Sequence, residues 1–530
     1  MRSSKPRLPI RSFERFIASV ERIGNLLPHP FFLFIILIIF VLFLSYILNA
    51  LGVSIGHPGL AESVNRGGAE TIKVVNLFQK RMLQSIMANF VKTFAYFTPV
   101  GFVLVMILGV GLAEQAGLFS AVIRQLVQMT PAPLITFVIS IASICANIAS
   151  DAGIVIAPAI GAAVFLALGR HPIAGVCVGY VSAYGGYSAN IFVAGTDVML
   201  AGITQSAIGY FNIDAPVHPL MNWYVMMGST VILALVVTAV TEGIIVPYLG
   251  PYKPAEDLKS VTTDIELKLT ADEKKGLVGT GLTSLVFLGV LLALIIPHNG
   301  FFRNEQGGLL PSSPLISGII FILFSYFFLA GTAYGIGAGT ITNQRDIPHM
   351  MAKGLTGVAG FLVVCLPAAI FIDLFHKSNL TTIIAVWGAN LFKSVHLGVV
   401  PALLVFSLLC AGLNIFVTSG LTQWMITAPI FVPLFYQLGV SPATTQMAFR
   451  IGDSTTNIIS PISAYLPMLL GLLEKYRNRD QEIGIGTAIS LMLPYSCSLL
   501  MFWLIYFGIW LLLGLDPGPG VTMYVTQPTG

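Results

Sequence analysis

The sequence predicts an all-α polytopic membrane protein, and three observations carry that reading. Hydrophobic residues make up 56% of the 530 and charged residues only 9%, against roughly 25% charged in a soluble domain. Apolar stretches repeatedly reach the ~20 residues that a helix needs to cross a ~30 Å hydrocarbon core. The two halves of the chain also repeat one pattern of breaks inside those stretches. Mean hydropathy is +0.86, and the 52 glycines and 30 prolines suit the close helix packing and helix breaks that membrane bundles tolerate. The net charge of +4 fits basic cytoplasmic loops. No dense basic patch with interleaved aromatics is present, so the bilayer is the expected partner and nucleic acid is not. Cys145, Cys177, Cys365, Cys410 and Cys497 fall in apolar segments without CxxC spacing, which argues against a disulfide framework or a zinc site.

Residues 1–29 form a basic amphipathic segment, with Arg2, Lys5, Arg7, Arg11, Arg15 and Arg22, and are placed in the cytoplasm. The first half, 30–249, begins with a span at 31–51 that serves as a retained signal anchor. A polar connection over 52–96 and a span over 97–113 follow. Residues 133–168 are too long for one crossing and are broken by Asn147, Ser150, Asp151 and Gly153, which predicts a re-entrant hairpin. A broken helix at 173–203 is interrupted at GGYSAN and GTD, and 222–249 is a clean span. Residues 250–277 form a charged cytoplasmic linker. The second half, 278–515, places spans near 278–296, 314–337 and 357–375, a short helix at 380–394, a hairpin at 418–438, a broken helix at 443–470 and a last span over 484–515. A tail, 516–530, lies outside.

The two hairpin regions align: NIASDAGIVIAPAIGAAVFLALGRHP from Asn147 and NIFVTSGLTQWMITAPIFVPLFYQLGVSP from Asn414. Pro158 matches Pro429 (429 − 158 = 271), Pro172 matches Pro442 (442 − 172 = 270) and Asn190 matches Asn457 (457 − 190 = 267). A near-constant offset of half the chain implies duplication. Paired interrupted segments in corresponding positions of two halves point to the binding site of a secondary transporter with inverted repeats. Half-helix ends there expose C=O groups that hold a cation and N–H groups that favour an anion.

Within this frame the stretch AFRIGDSTTNIISPISAYLPMLL (448–470) puts Arg450, Asp453, Asn457, Ser460 and Pro461 at membrane depth, where ionisable groups default to a partner, a wet cavity or a ligand. Arg450 and Asp453 are three apart on one helical face, so they either neutralise each other or hold a substrate carboxylate and take a proton. Asp197 has no basic neighbour in sequence and is either a solvated helix end or part of an ion pathway. Trp424 is either a packing residue or a stacking surface for an aromatic ligand. Asn147, Asn190, Asn414 and Asn457 serve as interhelical hydrogen-bond glue or as ion or substrate ligands. Arg170 and His171 cap a hairpin at the cytoplasmic surface and are given no transport role.

With these residues in view, the chain resembles the AbgT family of p-aminobenzoyl-glutamate transporters and antimetabolite exporters. The resemblance is carried by VERIGNLLPHPFFLF (20–34), SDAGIVIAP (150–158), GRHPIAG (169–175), TDVMLAGI (196–203), NWYVM (222–226), WMITAPIFVPLF (424–435) and FRIGDS (449–454). It implies an inner-membrane homodimer, about nine transmembrane helices plus two re-entrant hairpins per subunit, and a pathway within each subunit. The family's transport residues match at Asp197, Asn414, Trp424, Pro442, Arg450, Asp453 and Pro461. Some exporters carry a serine where this chain has Leu421, so Ser419 is the neighbouring candidate for that polar contact.

The resulting expectation is a cation-coupled secondary transporter, not an enzyme, for p-aminobenzoyl-glutamate or a related folate-type aromatic carboxylate, with sulfonamide export as the other direction. Arg450 binds the carboxylate, Trp424 stacks on the ring, Asp197 or Asp453 couples protonation, and Asn147, Ser150, Asn190, Asn414 and Asn457 hold Na⁺. The absence of Walker motifs leaves no sign of direct ATP drive. A Na⁺-coupled dicarboxylate carrier and an intramembrane aspartyl hydrolase built on Asp197 and Asp453 are the competing readings.

Overall fold

Pro30 at the first position of α1 (Pro30–Ala50) and the His29 side chain, which accepts a hydrogen bond from the Phe31 amide at 3.3 Å, start the first long helix. The computed structural model describes residues 28–56, 71–149, 152–209, 213, 215–253, 268–310, 313–356, 358–394, 398–478 and 483–525. The basic segment before Pro28, most of the charged linker and the candidate Na⁺ ligand Ser150 therefore lie outside the described residues.

After α1, two short antiparallel strands, β1 (Ser54–Gly56) and β2 (Thr71–Lys73), pair Ile55 with Ile72. The region expected to be a polar connection then contains a helix, α2 (Lys80–Ala95). Its apolar residues Met82, Leu83, Ile86, Met87, Phe90, Val91 and Phe94 recur at helical spacing opposite Lys80, Gln84 and Lys92, the pattern of an interfacial helix that its polar composition hid. Pro99 sits at the start of α3 (Thr98–Ala116), and Gly117, at φ 95°, turns the chain into α4 (Leu118–Gln128).

The first hairpin has arms α5 (Ile135–Cys145) and α6 (Ala152–Ala167). The interrupted helix after it consists of α7 (Pro172–Tyr180), a π-helical stretch at Val181–Gly185, a non-helical break and α8 (Gly195–Gly209). Helix α9 (Trp223–Val240) continues through a second π-helical stretch, Thr241–Ile245. Helix α10 (Ala271–Ile295) starts inside the stretch assigned to the linker, because Thr270 and Glu273 form a reciprocal capping box. It is followed by α11 (Ile319–Ala338), α12 (Asp346–Thr356), α13 (Ala359–Lys377) and α14 (Leu380–Ser394).

The second hairpin is larger than the 418–438 interval expected. That interval holds only its second arm, α16 (Gly420–Gln437), while the first arm is α15 (Val399–Asn414), which reads in sequence as an ordinary apolar run. The second interrupted helix is α17 (Pro442–Thr455), a break around Asn457–Ile459, and α18 (Leu466–Lys475). Helix α19 (Ile485–Leu513) closes the bundle. Both halves thus run hairpin, then interrupted helix.

Seven described stretches are long and apolar enough to cross a membrane: Pro30–Ala50, Lys80–Ala116, Trp223–Leu249, Ala271–Ile295, Ile319–Ala338, Ala359–Lys377 and Ile485–Leu513. The hairpin arms and interrupted helices are shorter and lie among them. Contact between hairpin and interrupted helix is backbone to backbone. A Cβ on Gly161 of α6 would stand 2.2 Å from the Gly175 carbonyl of α7, and one on Gly452 of α17 would stand 2.2 Å from the Ser407 carbonyl of α15. Small residues let these helices meet closely enough for dispersion to replace the hydrophobic drive that lipid does not supply.

Candidate functional site

A break in a buried helix strands carbonyl and amide groups, and each costs free energy unless a partner reaches it. Here side chains from other elements fill that need. Asn457 Nδ2 donates to the Tyr184 carbonyl at 3.3 Å, Trp223 Nε1 to the Ile191 carbonyl at 2.8 Å, and Ser496 Oγ to the Thr455 carbonyl at 2.8 Å. Ser460 Oγ donates to the Ile415 carbonyl at 2.8 Å, which ties the second break to the second hairpin tip. The first break also touches the last turn of α17, through the Ser188 amide donating to Ser454 Oγ at 3.1 Å.

The central charges join the two halves. Arg450 Nη2 donates to Asp197 Oδ1 in an ion pair whose side chains are each 1% exposed. The other Asp197 oxygen accepts from the Ala194 amide at 2.6 Å, so the carboxylate rests on the N-terminus of α8, where the helix dipole favours negative charge. The neutralising pair with Asp453 does not form: the partner of Arg450 is not the acid three residues away but Asp197, the acid that lacked any basic neighbour. Three residues fall short of contact because the guanidinium turns toward α8. The Arg450 Nε is buried without a hydrogen-bond partner.

Asp453 instead faces the tip of the second hairpin. A Cβ on Gly420 would lie 2.5 Å from its Oδ2, so only glycine admits the carboxylate beside the first turn of α16. Ser419 caps that helix by accepting from the Thr422 amide at 3.3 Å. Asn414 Nδ2 donates to the Asp453 carbonyl, to Thr456 Oγ1 at 3.1 Å and to Asn457 Oδ1 at 2.8 Å, locking hairpin tip to break. In the matching position of the first half, both amide atoms of Asn147 and the Asn190 Nδ2 are buried without partners.

Trp424 is fully buried. Its ring lies 4.6 Å from that of Phe449, and its Nε1 donates to Thr204 Oγ1 at 3.0 Å. The same Thr204 oxygen accepts from Gln446 Nε2 at 2.7 Å, and Gln446 Oε1 accepts from Asn222 Nδ2 at 2.8 Å. Trp424 is therefore held by protein on its face and its edge, and the stacking surface it was expected to offer is taken by Phe449.

A cavity of about 520 Å³ opens beside this network. Ser419, Gly420, Leu421, Thr422, Asp453 and Asn457 form its inner wall, Tyr184, Tyr187 and Tyr465 supply aromatic surface, and His29, Glu114 and Lys353 also line it. Asp453, Asn457 and Ser419 thus face open space, whereas Arg450, Asp197, Trp424 and Asn414 stand behind that wall. Pro442 opens α17 beside the Ser441 cap, and Pro461 lies in the break; neither lines the cavity. Thr204 and Gln446 were missed by sequence reasoning, although each had a signal. Thr204 lies two turns after Asp197 on the same helical face, and Gln446 lies one turn before Arg450. Among the described residues no group of three or more His, Cys, Asp or Glu could hold a metal.

Two helical hairpins facing two interrupted helices, with a buried ion pair between halves and a cavity lined by the second hairpin tip and both breaks, define a multi-pass membrane transporter. The AbgT transporter family model matches residues 15–525. The chain belongs to the AbgT family. It is 38% identical over 502 residues to the p-aminobenzoyl-glutamate transport protein of Escherichia coli K12, covering 95% of this chain and 96% of that one. Among solved structures, it matches Neisseria gonorrhoeae MtrF, described as illuminating a class of antimetabolite efflux pumps, with a TM-score of 0.89 and 39% identity over 96% of this chain and all of that one. It also matches the Alcanivorax borkumensis YdaH transporter, with a TM-score of 0.85 and 32% identity over 93% of this chain and all of that one. The hydrolase reading falls with these relatives, which are transport proteins and efflux pumps.

Proposed function

We propose that this protein is a proton-coupled secondary transporter of p-aminobenzoyl-glutamate or a closely related aromatic carboxylate, and that Asp197 is both the resting counter-ion of Arg450 and the proton carrier. The observation that carries this reading is the buried Arg450–Asp197 pair at the junction of the two interrupted helices, with the Arg450 Nε left unpartnered behind the cavity wall. A substrate carboxylate offers guanidinium the same bidentate chemistry as Asp197. When substrate takes Arg450, Asp197 loses its counter-charge while still out of water, and an unpaired buried carboxylate favours protonation. Substrate and proton then travel as a coupled pair, and return of Asp197 to Arg450 resets the carrier. The ring of the substrate meets Tyr184, Tyr187 and Tyr465 in the cavity, in place of the Trp424 contact expected from sequence.

A second coupling ion is supported by a separate observation. The Asn147 side-chain oxygen and the Asn414 Oδ1 are buried acceptors without donors, and neutral oxygen ligands of this kind suit Na⁺. Asn457 Oδ1 already accepts from the Asn414 amide and Asn190 Oδ1 from the Phe192 amide at 3.1 Å, so Asn147 and Asn414 are the stronger Na⁺ ligands. The basic residues ahead of the first span support a cytoplasmic N-terminus, and placement in a bacterial inner membrane and assembly as a homodimer rest on the family resemblance.

Purified protein in liposomes, loaded with a pH gradient or a Na⁺ gradient, tests the proposal with labelled p-aminobenzoyl-glutamate, a sulfonamide and succinate as cargo. A proton gradient is expected to drive p-aminobenzoyl-glutamate, and Asp197→Asn to retain binding but lose gradient-driven accumulation. Flux of succinate alone, or equal accumulation by wild type and Asp197→Asn, would overturn it.

A further inference from the structure

The cavity presents a charge problem to an anionic cargo. Asp453 puts an acid on its wall, and the Arg450 guanidinium is shut behind that wall by Asp197. Among the described lining residues Lys353 is the one Lys or Arg side chain. It lies in the last turn of α12, the amphipathic helix that precedes the spanning helix α13, and is therefore at the end of the bundle rather than at its middle. Its side chain is exposed and its ammonium has no hydrogen-bond or ion-pair partner among the described residues. An exposed lysine is ordinarily a solvated group, but this one is mounted rigidly. A Cβ on Gly354 would stand 2.8 Å from the Gly111 Cα of α3, so α12 is pressed backbone to backbone onto the helix that carries Glu114 one turn further along.

We infer that Lys353 is the outer carboxylate-binding residue of the transport pathway, which captures a dianionic aromatic substrate at the cavity mouth and offsets the repulsion of Asp453 before Arg450 becomes available. This rests on the transport reading above and adds to it a specificity rule. A cargo with two carboxylates uses both cations in turn, a monocarboxylate gains less from Lys353, and a neutral sulfonamide gains nothing. A wholly structural lysine that complemented the C-terminal dipole of α12 would affect all cargoes alike.

The test compares Lys353→Gln, Lys353→Glu and Lys353→Arg in liposomes and in detergent, with p-aminobenzoyl-glutamate (dianion), p-aminobenzoate (monoanion) and sulfanilamide (neutral). For the dianion, Lys353→Gln is expected to raise KM about fivefold with Vmax unchanged, the effect of one partly solvated charge contact. Lys353→Glu should raise it further, Lys353→Arg should restore it, and sulfanilamide should respond to none of the three. An equal shift for sulfanilamide, or no shift for the dianion, overturns the role. Equilibrium binding of labelled p-aminobenzoyl-glutamate in detergent separates the two levels of the claim. Lys353-dependent binding without any flux overturns transport and keeps the site, and absence of binding to the wild-type protein overturns both.

Discussion

The Arg450 guanidinium of α17 closes on the Asp197 carboxylate of α8 across 253 residues of sequence, and each side chain is 1% exposed. The pair is the only charge link described between the two interrupted helices, so it is both a structural clamp and the proposed transport switch. Removing one member of a buried pair costs about 3–5 kcal/mol, because the other is left uncompensated. The two single variants should differ. Asp197→Asn leaves a guanidinium that cannot shed its proton, whereas Arg450→Gln leaves a carboxylate that can take one. Thermal unfolding in detergent should therefore rank Asp197→Asn below Arg450→Gln, with the double variant recovering stability relative to Asp197→Asn. Additive losses in the double variant would mean that the two side chains act separately.

Thr204 holds the indole of Trp424 and the amide of Gln446 on one oxygen. Thr204→Val keeps the shape and removes the acceptor, leaving two buried donors that each cost about 1–3 kcal/mol. The expected outcome is a lowered unfolding temperature and a changed Trp424 emission, with Thr204→Ser close to wild type. Trp424→Phe in the Thr204→Val background should recover part of the loss, since one stranded donor is then gone. A double-mutant cycle on unfolding free energy checks the coupling.

Much of this arrangement was legible in the sequence, and the failures have physical causes. The first hairpin and both interrupted helices were found because polar and glycine residues stand out against an apolar background. The first arm of the second hairpin, α15, was not found, since its outer face, with Val405, Leu408, Leu409 and Leu413, is as apolar as its buried one and reads like any apolar span, and its one break signal, Asn414, lies at its end. Helices α2 and α12 were missed because their polar residues, Lys, Gln and Asn in α2 and Asp, His and Lys in α12, make them look like loops unless the helical period is tested. The pairing of Arg450 with Asp197 had no local signal. Tertiary placement of two breaks decided it, and the repeat alignment matches Asn190 with Asn457, not Asp197 with Arg450.

His171 gives a pH dependence that is separate from transport. It lies outside the spanning segments, in the connection between α6 and α7, where it caps α7 by accepting from the Ile173 amide at 3.3 Å and packs on the Tyr252 ring at 5.2 Å. Burial pushes its pKa down from 6.5 to about 4. Between those values the unfolded chain binds a proton that the folded protein does not, so stability falls as the pH drops from 6.5 toward 4 and gains nothing above 6.5. His171→Asn retains a capping acceptor without a titrating group. Unfolding temperatures measured from pH 7 to pH 4.5 should fall less steeply for this variant than for wild type, and parallel curves would show that His171 is solvated.

Gly420→Ala isolates the hairpin tip from the ion pair. The added methyl would stand 2.5 Å from Asp453 Oδ2 and 2.6 Å from Oδ1, well inside contact distance. The carboxylate is the end of a rotatable side chain, so the fold accommodates the change by swinging Asp453 away from the first turn of α16. That movement takes the carboxylate away from the hairpin tip, where its Oδ1 is buried without a hydrogen-bond partner. It also shifts an acid that lines the cavity while leaving Arg450, Asp197 and Trp424 in place. Unfolding should consequently change by less than it does in Asp197→Asn, while transport falls at least tenfold through Vmax. A second variant, Asp453→Asn, keeps the side chain's size without its charge, and combining it with Gly420→Ala distinguishes displacement from loss of the acid. If Asp453 acts through its position at the tip, the double variant is no worse than Asp453→Asn alone. Independent, multiplicative losses would place the role of Gly420 in the hairpin backbone instead.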